Sequence, residues 1–497
     1  MHAIGTASCA SDPPHWSALS LGRYARRLLG RRQLIVVSQR QPIVHSHDGD
    51  GVRRLIPAGG LVSAVLPMVQ ACGGTWVAES AGDADDAVVD GGGCVHVSAA
   101  GPGWTARLLR LPPSLRRAHN DGFSNGGLWP ACHDAPGAAR FSLGDWLAYQ
   151  QVNALFAQAV ASTMAEADAV VHVHDYHLCL VPRLLRARAP SATIVHYWHI
   201  RWPTLAELRV CPWHADLVRG LVAANAVVFQ TRDDAARFEQ ACVALGVRHG
   251  AVIRSVPISI AWPTAASLPA PPLAARPQRL ILGVDRFDYA KGLLERLAGF
   301  ERLLERQPQW CGRVSLLQVA APTRESVPAY RAYRERVLER VAGINTRFAR
   351  GGWLPVEWRT RTHLPSELDA LYRAADVCLV TSLQDGMNLV CKEYAAARRD
   401  ESGCLVLSRS AGASRELTAA VLIEPRHADD VAAALHRALS MSPHEQRQRM
   451  RQLREVVRNF NVHRWAARLL AAGQGAVLSR QRADRIRTLA PPLAEAA

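Results

Sequence analysis

The chain has 497 residues, of which 49% are hydrophobic and 21% charged, an ordinary composition for a globular protein with more than one domain. Its net charge of +16 at pH 7 suits nucleic acid, a membrane surface or phosphorylated ligands. The arginines are spread along the whole chain, which argues against nucleic acid as a partner. No apolar run reaches the length of a membrane span, so we expect no membrane partner.

The 11 cysteines are scattered, odd in number and never spaced Cys-x-x-Cys. This pattern argues against a disulfide framework and against a structural zinc site, and it favours a reducing compartment. The sequence therefore predicts a cytoplasmic protein. Residues 1–32 are rich in arginine and lack the apolar segment of a secretory signal, so we predict a basic, flexible extension, with a targeting role as the alternative.

Short apolar runs rich in Val, Ile and Leu recur along the chain and predict strands that are buried on both faces, as in parallel sheets. They cover residues 33–38, 169–175, 193–200, 226–231, 279–285, 313–320, 376–382, 404–408 and 420–425. Helical patterns lie between them, for example a stripe of apolar residues after Gly292. The alternation predicts an α/β protein.

A stretch rich in proline and alanine, residues 262–278, divides the chain and reads as a linker. We predict two Rossmann-like, doubly wound domains that face a central cleft. The boundaries are a first domain at 33–265, a linker at 266–278, a second domain at 279–455, and a helical segment with a flexible tail at 456–497. Whether that last segment crosses back to the first domain stays open.

The stretch "DRFDYAKG", residues 285–292, contains one of two lysines in a chain whose other basic residues are arginines. It predicts a strand, a short loop and a helix that begins near Gly292. The N-terminus of a helix attracts anions, and Lys291 and Arg286 would add a point charge and a planar donor. The alternative is an ordinary solvated pair of cations beside a turn.

A second stretch, "SLQDGMNLVCKEY" at 382–394, has the same strand–loop–helix form. Asp385 and Gly386 predict a turn and Asn388 a helix cap, with backbone N–H groups around Leu389 facing a ligand. Glu393, one turn into the helix, suits ribose hydroxyls, unless it is simply a surface carboxylate. Two such loops in one domain are more specific than either alone.

The first half carries further polar residues at predicted strand ends. Arg40 follows the first strand, and Gly59 and Gly60 open a helix in "PAGGL". Four titratable residues stand close together in "VHVHDYHL", and a fifth follows the next strand: His172, His174, Asp175, His177 and His199. Metal binding is the less favoured reading because no complete ligand set with known spacing is present. Asp175 rather fits a structural or substrate-binding role.

Taken together, these motifs resemble the trehalose-6-phosphate synthases, retaining glycosyltransferases of the glycosyltransferase-B fold. The resemblance runs from about residue 33 to 465. It rests on "VVSQRQP", "PAGGL", "FSNGGLWPACH", "VHDYHL", "WHIRWPT", "DRFDYAKGLLER", "QVAAPTRESVPAY", "DGMNLVCKEY" and "LSRSAGASREL". It implies transfer of glucose from UDP-glucose to glucose 6-phosphate with retention, without a cofactor or metal. Self-association into a homo-oligomer is left open.

The resemblance also implies roles for individual residues. Arg286 and Lys291 would hold the diphosphate, and Glu393 the uridine ribose. Asn388 and Leu389 would offer backbone groups to the phosphates, and Gly60 would lie against the donor. Asp385 and His199 would bind the donor glucose. The acceptor would be held by Arg40 and Arg324 at its phosphate and by Asp175 and Trp129 at the sugars. We expect the catalytic set to be Arg286, Lys291, Asp385, His199 and Asp175.

The chain also departs from the family pattern. Gln39 replaces an asparagine and Arg201 a proline; His119-Asn120 replaces Tyr-Tyr, and Glu79 a tryptophan found in several members. The changes at Glu79 and Asn120 fall where some members contact the acceptor sugar. Two alternatives therefore remain: a relative that glucosylates another phosphorylated acceptor, such as glycerol 3-phosphate, and a non-catalytic phosphosugar sensor.

Overall fold

The computed structural model describes residues 15–57, 59–98, 101–263, 278–324 and 326–489, except for the side chains of residues 136 and 477–489. The strands are β1 (Leu34–Ser38), β2 (Val44–Asp48), β3 (Gly51–Leu55), β4 (Thr75–Glu79), β5 (Cys94–Val97), β6 (Trp104–Leu109), β7 (Val170–His174), β8 (Thr193–Tyr197), β9 (Ala226–Phe229), β10 (Val252–Ser255), β11 (Arg279–Arg286), β12 (Val314–Ala321), β13 (Val356–Arg359), β14 (Val377–Val380), β15 (Cys404–Ser408) and β16 (Val421–Ile423).

The helices surround these strands. They are α1 (Ala18–Leu29), α2 (Gly60–Cys72), α3 (Pro113–Arg117), α4 (Trp129–Cys132), α5 (Leu143–Thr163), α6 (Val181–Arg188), α7 (Leu205–Leu208), α8 (His214–Leu221), α9 (Arg232–Ala244), α10 (Leu293–Arg306), α11 (Pro328–Phe348), α12 (Pro365–Ala374), α13 (Val390–Ala397), α14 (Ala428–Ser440), α15 (Pro443–Asn459) and α16 (Val462–Leu489). A π-helix covers Ala118–Leu128, and 3-10 turns cover Asp85–Ala87, Pro136–Ala138, Tyr176–Leu178, Tyr289–Lys291, Pro308–Trp310 and Gly412–Arg415.

Two large sheets organise the chain. The first has the strand order β10-β9-β8-β7-β1-β4-β6-β5, and the second β13-β12-β11-β14-β15-β16. All neighbouring strands are parallel except β5, which pairs antiparallel with β6 at the edge of the first sheet. The strands β1 and β11 are buried almost throughout, as continuous apolar runs require in a sheet covered on both faces. The prediction of an α/β protein with parallel sheets is confirmed.

The nine apolar runs of the sequence all contain strands of these sheets. The sequence missed the strands β4, β5, β6, β10 and β13 and the β2–β3 hairpin. In β6, buried and half-buried residues alternate, so its apolar pattern is not continuous. In β13, one buried residue is followed by three half-buried ones, which hides it from a search for apolar runs.

The basic segment before β1 differs from the flexible extension that its composition predicted. Helix α1 packs against α2 and α16, and Leu21, Ala25 and Leu29 are buried in this contact. A capping box at Ser17 starts the helix. The arginines stand on the outer face, so their number concealed an apolar stripe. Residues 1–14 lie outside the described residues, and so does the predicted linker, apart from its ends at 262, 263 and 278.

The end of the chain returns to the first sheet. Helix α15 packs against α13 beside the second sheet, whereas α16 packs against β8, β9, α1 and α2. The backbone N–H of Val462 donates to the carbonyl of Ile260, and Asn461 donates to the carbonyl of Trp16. In the part of the chain described here, every helix is too short or too polar to cross a bilayer.

Candidate active site

The predicted site residues follow the central strands of both sheets. In the first sheet β1 lies between β7 and β4, and in the second β11 lies between β12 and β14, so the chain order reverses beside β1 and beside β11. Parallel sheets bind ligands at the carboxyl ends of strands at such points. Arg40 and Asp175 follow β1 and β7, while Arg286 ends β11 and Asp385 follows β14.

The two sets of loops face and touch each other. A Cβ atom placed on Gly60 would lie 3.1 Å from Cδ1 of Leu389, and one on Gly386 would lie 2.6 Å from the carbonyl oxygen of His199. A larger residue than glycine at 386 would therefore push the loops after β8 and β14 apart. The loops of the two halves that carry site residues implied by the resemblance therefore lie against each other.

Lys291 forms an ion pair with the loop after β14. Its Nζ donates to Oδ2 of Asp385 over 2.6 Å, and 15% of its side chain is exposed. Burial by itself would raise the pKa of Asp385, but the charge of Lys291 and hydrogen bonds from Lys291 and Asn388 outweigh burial and lower this pKa. Asp385 is therefore ionised at neutral pH, and Lys291 sits beside it as a nearly buried cation.

The loop that carries Lys291 is held by the neighbouring strand. Gly292 caps α10 with φ of +63°, and a Cβ atom there would clash with the carbonyl of Thr381. The hydroxyl of Thr381 donates to the carbonyl of Gly292 over 2.9 Å. Below it, Arg296 pairs with the buried Asp285 over 2.7 Å. These contacts fix the position of the lysine before any ligand arrives.

Arg286 and Arg324 share one aromatic platform. The guanidinium carbons lie 5.5 Å and 3.8 Å from the ring centroid of Trp129, which also stacks on the ring of His133. Asp288 lies 3.6 Å from Arg286 and 3.2 Å from Arg324. Burial opposes ionisation of Asp288, yet the two arginines lower its pKa, so it remains charged and orients both cations.

Arg324 is anchored by hydroxyl groups from both halves of the chain. It donates to Tyr330 over 2.6 Å and to Tyr176 over 3.2 Å. Burial alone would lower the pKa of Arg324, but Tyr176, Tyr330 and Asp288 raise it. Its backbone has φ of +49°, uncommon for arginine, which indicates that the surroundings hold it in place.

Arg40 completes the group of cations. A Cβ atom on Gly59 would lie 2.7 Å from Nη1 of Arg40, so this glycine leaves room for the guanidinium. Desolvation is the largest cause that lowers the pKa of Arg40, and the charges of Arg286 and Arg324 lower it further. Such mutual repulsion indicates that the three guanidinium groups converge on one space, which an anion would neutralise.

Asp175 and His199 lie together at the ends of β7 and β8. The backbone N–H of His199 donates to Oδ1 of Asp175 over 3.3 Å, and the ring of His199 shares a 3.0 Å hydrogen bond with His174. Burial raises the pKa of Asp175 to about 7 and lowers that of His199 to about 3. At neutral pH His199 is therefore an uncharged hydrogen-bonding group, and Asp175 is close to half protonated.

The loop before α13 has the form that the sequence predicted, with one difference. The N-cap is Leu389, while Asn388, at φ of +77°, accepts the N–H of Cys391 through its side chain. Glu393 is half-buried and accepts a 2.7 Å hydrogen bond from Tyr372. It is thus not an ordinary surface carboxylate, and burial raises its pKa.

Sequence reasoning missed several residues that hold this site together. They are Asp288, Tyr176, Tyr330 and His133. Asp288 was visible in "DRFDYAKG" as a carboxylate between two cations, a pattern that predicts a shared counter-ion. The two tyrosines carried no such signal, because their contacts to Arg324 join segments 148 and 6 residues apart.

Two of the departures from the family pattern contact each other. Gln39 donates to Glu79 over 2.8 Å, and Arg116 pairs with the other oxygen of that buried carboxylate. Asn120 accepts from Asn125, which accepts from Tyr176, the partner of Arg324. Arg201 turns to Glu207 over 3.0 Å. The replacements are therefore satisfied locally: Glu79 contacts Gln39, the residue before Arg40, and Asn120 is linked through Asn125 to the hydroxyl that holds Arg324.

The histidines of the first half do not gather as metal ligands. His172 and His174 are fully buried on β7, and burial lowers the pKa of His172 to about 3. Among the described residues, no three histidine, cysteine, aspartate or glutamate side chains are grouped so that they could hold a metal ion.

Comparisons with known proteins show which family the chain belongs to. The family model "Glycosyltransferase family 20" matches residues 32–255 and 273–473. A trehalose-6-phosphate synthase of Mycolicibacterium gilvum is 35% identical over 485 residues, covering 89% of this chain and 93% of the relative.

Two solved structures share the architecture. An E. coli structure described as trehalose-6-phosphate bound with UDP-2-fluoro glucose aligns with a TM-score of 0.80 at 31% identity, over 89% of this chain and 99% of that one. A UDP-forming α,α-trehalose-phosphate synthase of Burkholderia xenovorans in complex with glucose-6-phosphate aligns with a TM-score of 0.76 at 32% identity, over 89% and 100%. The predicted glycosyltransferase-B fold is confirmed, and the chain belongs to glycosyltransferase family 20.

Proposed function

We propose that this protein transfers glucose from UDP-glucose to glucose 6-phosphate, giving α,α-trehalose 6-phosphate and UDP with retention at the anomeric carbon. The observation that carries the proposal is the pair of cationic centres that share Trp129 and Asp288. Arg286 belongs to the centre with Lys291, and Arg324 to the centre with Arg40. One cleft can thus hold a diphosphate and a second phosphate.

The donor centre supplies charge where the reaction needs it. Breaking the bond between the anomeric carbon and the diphosphate leaves negative charge on UDP, which Arg286, Lys291 and the N-terminus of α13 can neutralise. For this purpose Lys291 would turn from Asp385 towards the phosphates. Asp385 and the backbone around His199 would then hold glucose hydroxyls, and Glu393 the ribose.

The acceptor centre would place the attacking hydroxyl on the face from which UDP leaves. The new bond joins the anomeric carbon to the O1 atom of glucose 6-phosphate, and the released proton goes to a phosphate oxygen of the departing UDP. With pKa values near 3 and 7, His199 and Asp175 hold hydroxyls rather than supply a strong acid. The transition state needs no pair of glycosidase-type carboxylates.

Release of UDP from UDP-glucose tests the proposal. We expect release with glucose 6-phosphate, little without an acceptor and little with glycerol 3-phosphate. The anomeric configuration of the product, read by NMR, checks retention. Release of UDP with glycerol 3-phosphate but not with glucose 6-phosphate would mean that glycerol 3-phosphate is the acceptor. The changes at Glu79 and Asn120 would then be the first candidates for the altered acceptor preference. No release with either acceptor, together with tight binding of both ligands, would favour a phosphosugar sensor.

We also propose that the reaction needs no metal, because side-chain cations stand at the expected leaving group. EDTA should leave the rate unchanged, and strong inhibition would contradict this.

A cytoplasmic location is proposed as well, supported by the ten described cysteines, which are all free. Self-association into a homo-oligomer remains a prediction, and the molecular mass from sedimentation analysis would test it.

A further inference from the structure

The second lysine of the chain joins the two halves. Lys392 lies on α13 with 2% of its side chain exposed, and its Nζ donates to Oε2 of Glu416 over 2.7 Å. It also donates over 2.8 Å to the carbonyl oxygen of Ile258, which follows β10 of the first sheet. A buried ammonium thus links the helix of the donor site to the other half of the molecule.

The link continues to the site through one side chain. The backbone N–H of Ile258 donates to Oε1 of Gln230 over 2.9 Å, and Nε2 of Gln230 donates to the carbonyl of His199 over 3.1 Å. Gln230 is almost fully buried and also accepts from the hydroxyl of Tyr197 over 2.8 Å. We call Lys392, Ile258, Gln230 and His199 the seam network.

Each end of the seam network adjoins residues that we propose to bind the sugar donor, UDP-glucose. At one end, Glu393 follows Lys392 on α13. At the other, the backbone of His199 packs against Gly386, in the loop that also carries Asp385. A change in the network would therefore shift His199 against this loop without removing any group that contacts the nucleotide.

We propose that Lys392 and Gln230 are positioning residues that set His199 against the loop at Asp385–Leu389. The inference rests on the proposed function and deepens it, because it names residues that act through His199 rather than on the substrate. A hydrogen bond from a charged donor to a buried carbonyl oxygen is stronger than one from a neutral donor. Arginine cannot replace Lys392, since its larger planar group requires different acceptor geometry.

The test compares Lys392→Met, Gln230→Met and the double variant with Arg186→Met. Arg186 is the control: it donates to the carbonyls of Pro190 and Ala192 and to the side chain of Asn225, at the amino ends of β8 and β9, whereas His199 and Gln230 follow the carboxyl ends of these strands. We expect each seam variant to lower kcat by about tenfold or more, and the double variant to lose little more than the worse single one, since both break one network. The Kd for UDP should stay within about threefold, as the nucleotide contacts remain.

Three results would overturn the proposal: a kcat within about twofold of wild type, independent multiplicative losses in the double variant, or an equal loss of kcat in Arg186→Met. If one single variant fails to fold, the other is judged by kcat and UDP affinity against the same control. Hydrogen exchange gives a readout that needs no turnover. Exchange at the N–H of Ile258 should accelerate in Lys392→Met, and unchanged exchange contradicts the network even if wild type proves to transfer no glucose.

Discussion

At the residue scale, the sequence predicted which polar side chains lie together between the two halves better than it predicted the residues that hold them in place. The pairing of Lys291 with a loop after another strand follows from two strand–loop–helix motifs in one parallel sheet. The sharing of Asp288 by Arg286 and Arg324, and the stacking of Arg324 on Trp129, depend on contacts between distant segments. A single sequence cannot reveal such contacts, because they have no fixed spacing.

Replacing Lys291 should abolish most activity and leave the fold intact. We expect Lys291→Ala to lower kcat by about a hundredfold or more, because an oriented charge at a leaving group is worth about that much. Asp385, whose side chain is 13% exposed, keeps its hydrogen bonds from Ser382 and Asn388 but loses its cation, so we expect a folded protein with a lower melting temperature. UDP release and calorimetry measure the two effects. Arg302→Ala, an exposed cation on α10, is the control, and near-normal turnover in Lys291→Ala would remove the lysine from the mechanism.

Asp175 should make stability depend on pH in a direction opposite to that of most carboxylates. Its pKa in the folded protein, about 7, lies above the value of about 3.9 in an unfolded chain. The contribution of Asp175 to the free energy of unfolding is therefore fully present below about pH 4 and is lost as the pH rises to about 7. Asp175→Asn, which tolerates the positive φ of +73°, should gain stability relative to wild type by up to about 1.4 kcal/mol per pH unit across this window.

Urea unfolding of both proteins at pH 5, 6 and 7 tests this difference. Asp145→Asn is the control, since Asp145 is only half-buried, beside Ser142 at the start of α5. A constant difference between wild type and Asp175→Asn across the series would mean that the carboxyl titrates at an ordinary value.

At the element scale, the sequence predicted strands by their unbroken apolar runs and helices by their stripes. Apart from β4, which is buried throughout, it failed where one face is open. The strand β6 alternates, and α1 carries arginines around a narrow apolar stripe. Partners distant in the chain bury that stripe, since α1 packs on α2 and α16. Local composition therefore described the outer face of α1 and not its contacts.

Two leucine substitutions on α1 test how much its packing contributes to the free energy of unfolding. We expect Leu21→Ala to lower the free energy of unfolding by about 2–5 kcal/mol, because Leu21 is fully buried and its removal leaves a cavity. Leu19→Ala, two residues earlier on the same helix and 63% exposed, should have almost no effect. Chemical unfolding measures both. Equal effects of the two changes would mean that α1 is not docked in solution.

At the scale of the whole molecule, buried histidines should set the acid limit of stability. Burial lowers the folded pKa of five of them to about 3 or about 4, below the value of about 6.5 in an unfolded chain: His119, His133, His172, His196 and His199. The unfolded chain binds these protons first, so stability falls as the pH drops below about 6.5. Five such groups outweigh the opposite trend of Asp175.

We expect the melting temperature to fall steeply between pH 7 and pH 5. The slope reflects the number of protons that the chain takes up on unfolding. His172→Leu should lower that number by about one, since His172 is fully buried and leucine binds no proton. Calorimetry across the series measures the slope. His249→Leu is the control, because His249 is exposed, and the same slope in wild type and His172→Leu would contradict the expectation.

The return of the last helix to the first sheet has a mechanical consequence. Because α1 and α16 pack together, the second half is inserted into the first, and the chain passes between the halves twice: once after residue 263 and again at Asn459–Val462. Two covalent crossings restrict the relative motion of the halves more than a single crossing would. Any separation of the loops at Gly60 and Leu389 must therefore also be accommodated at residues 459–462.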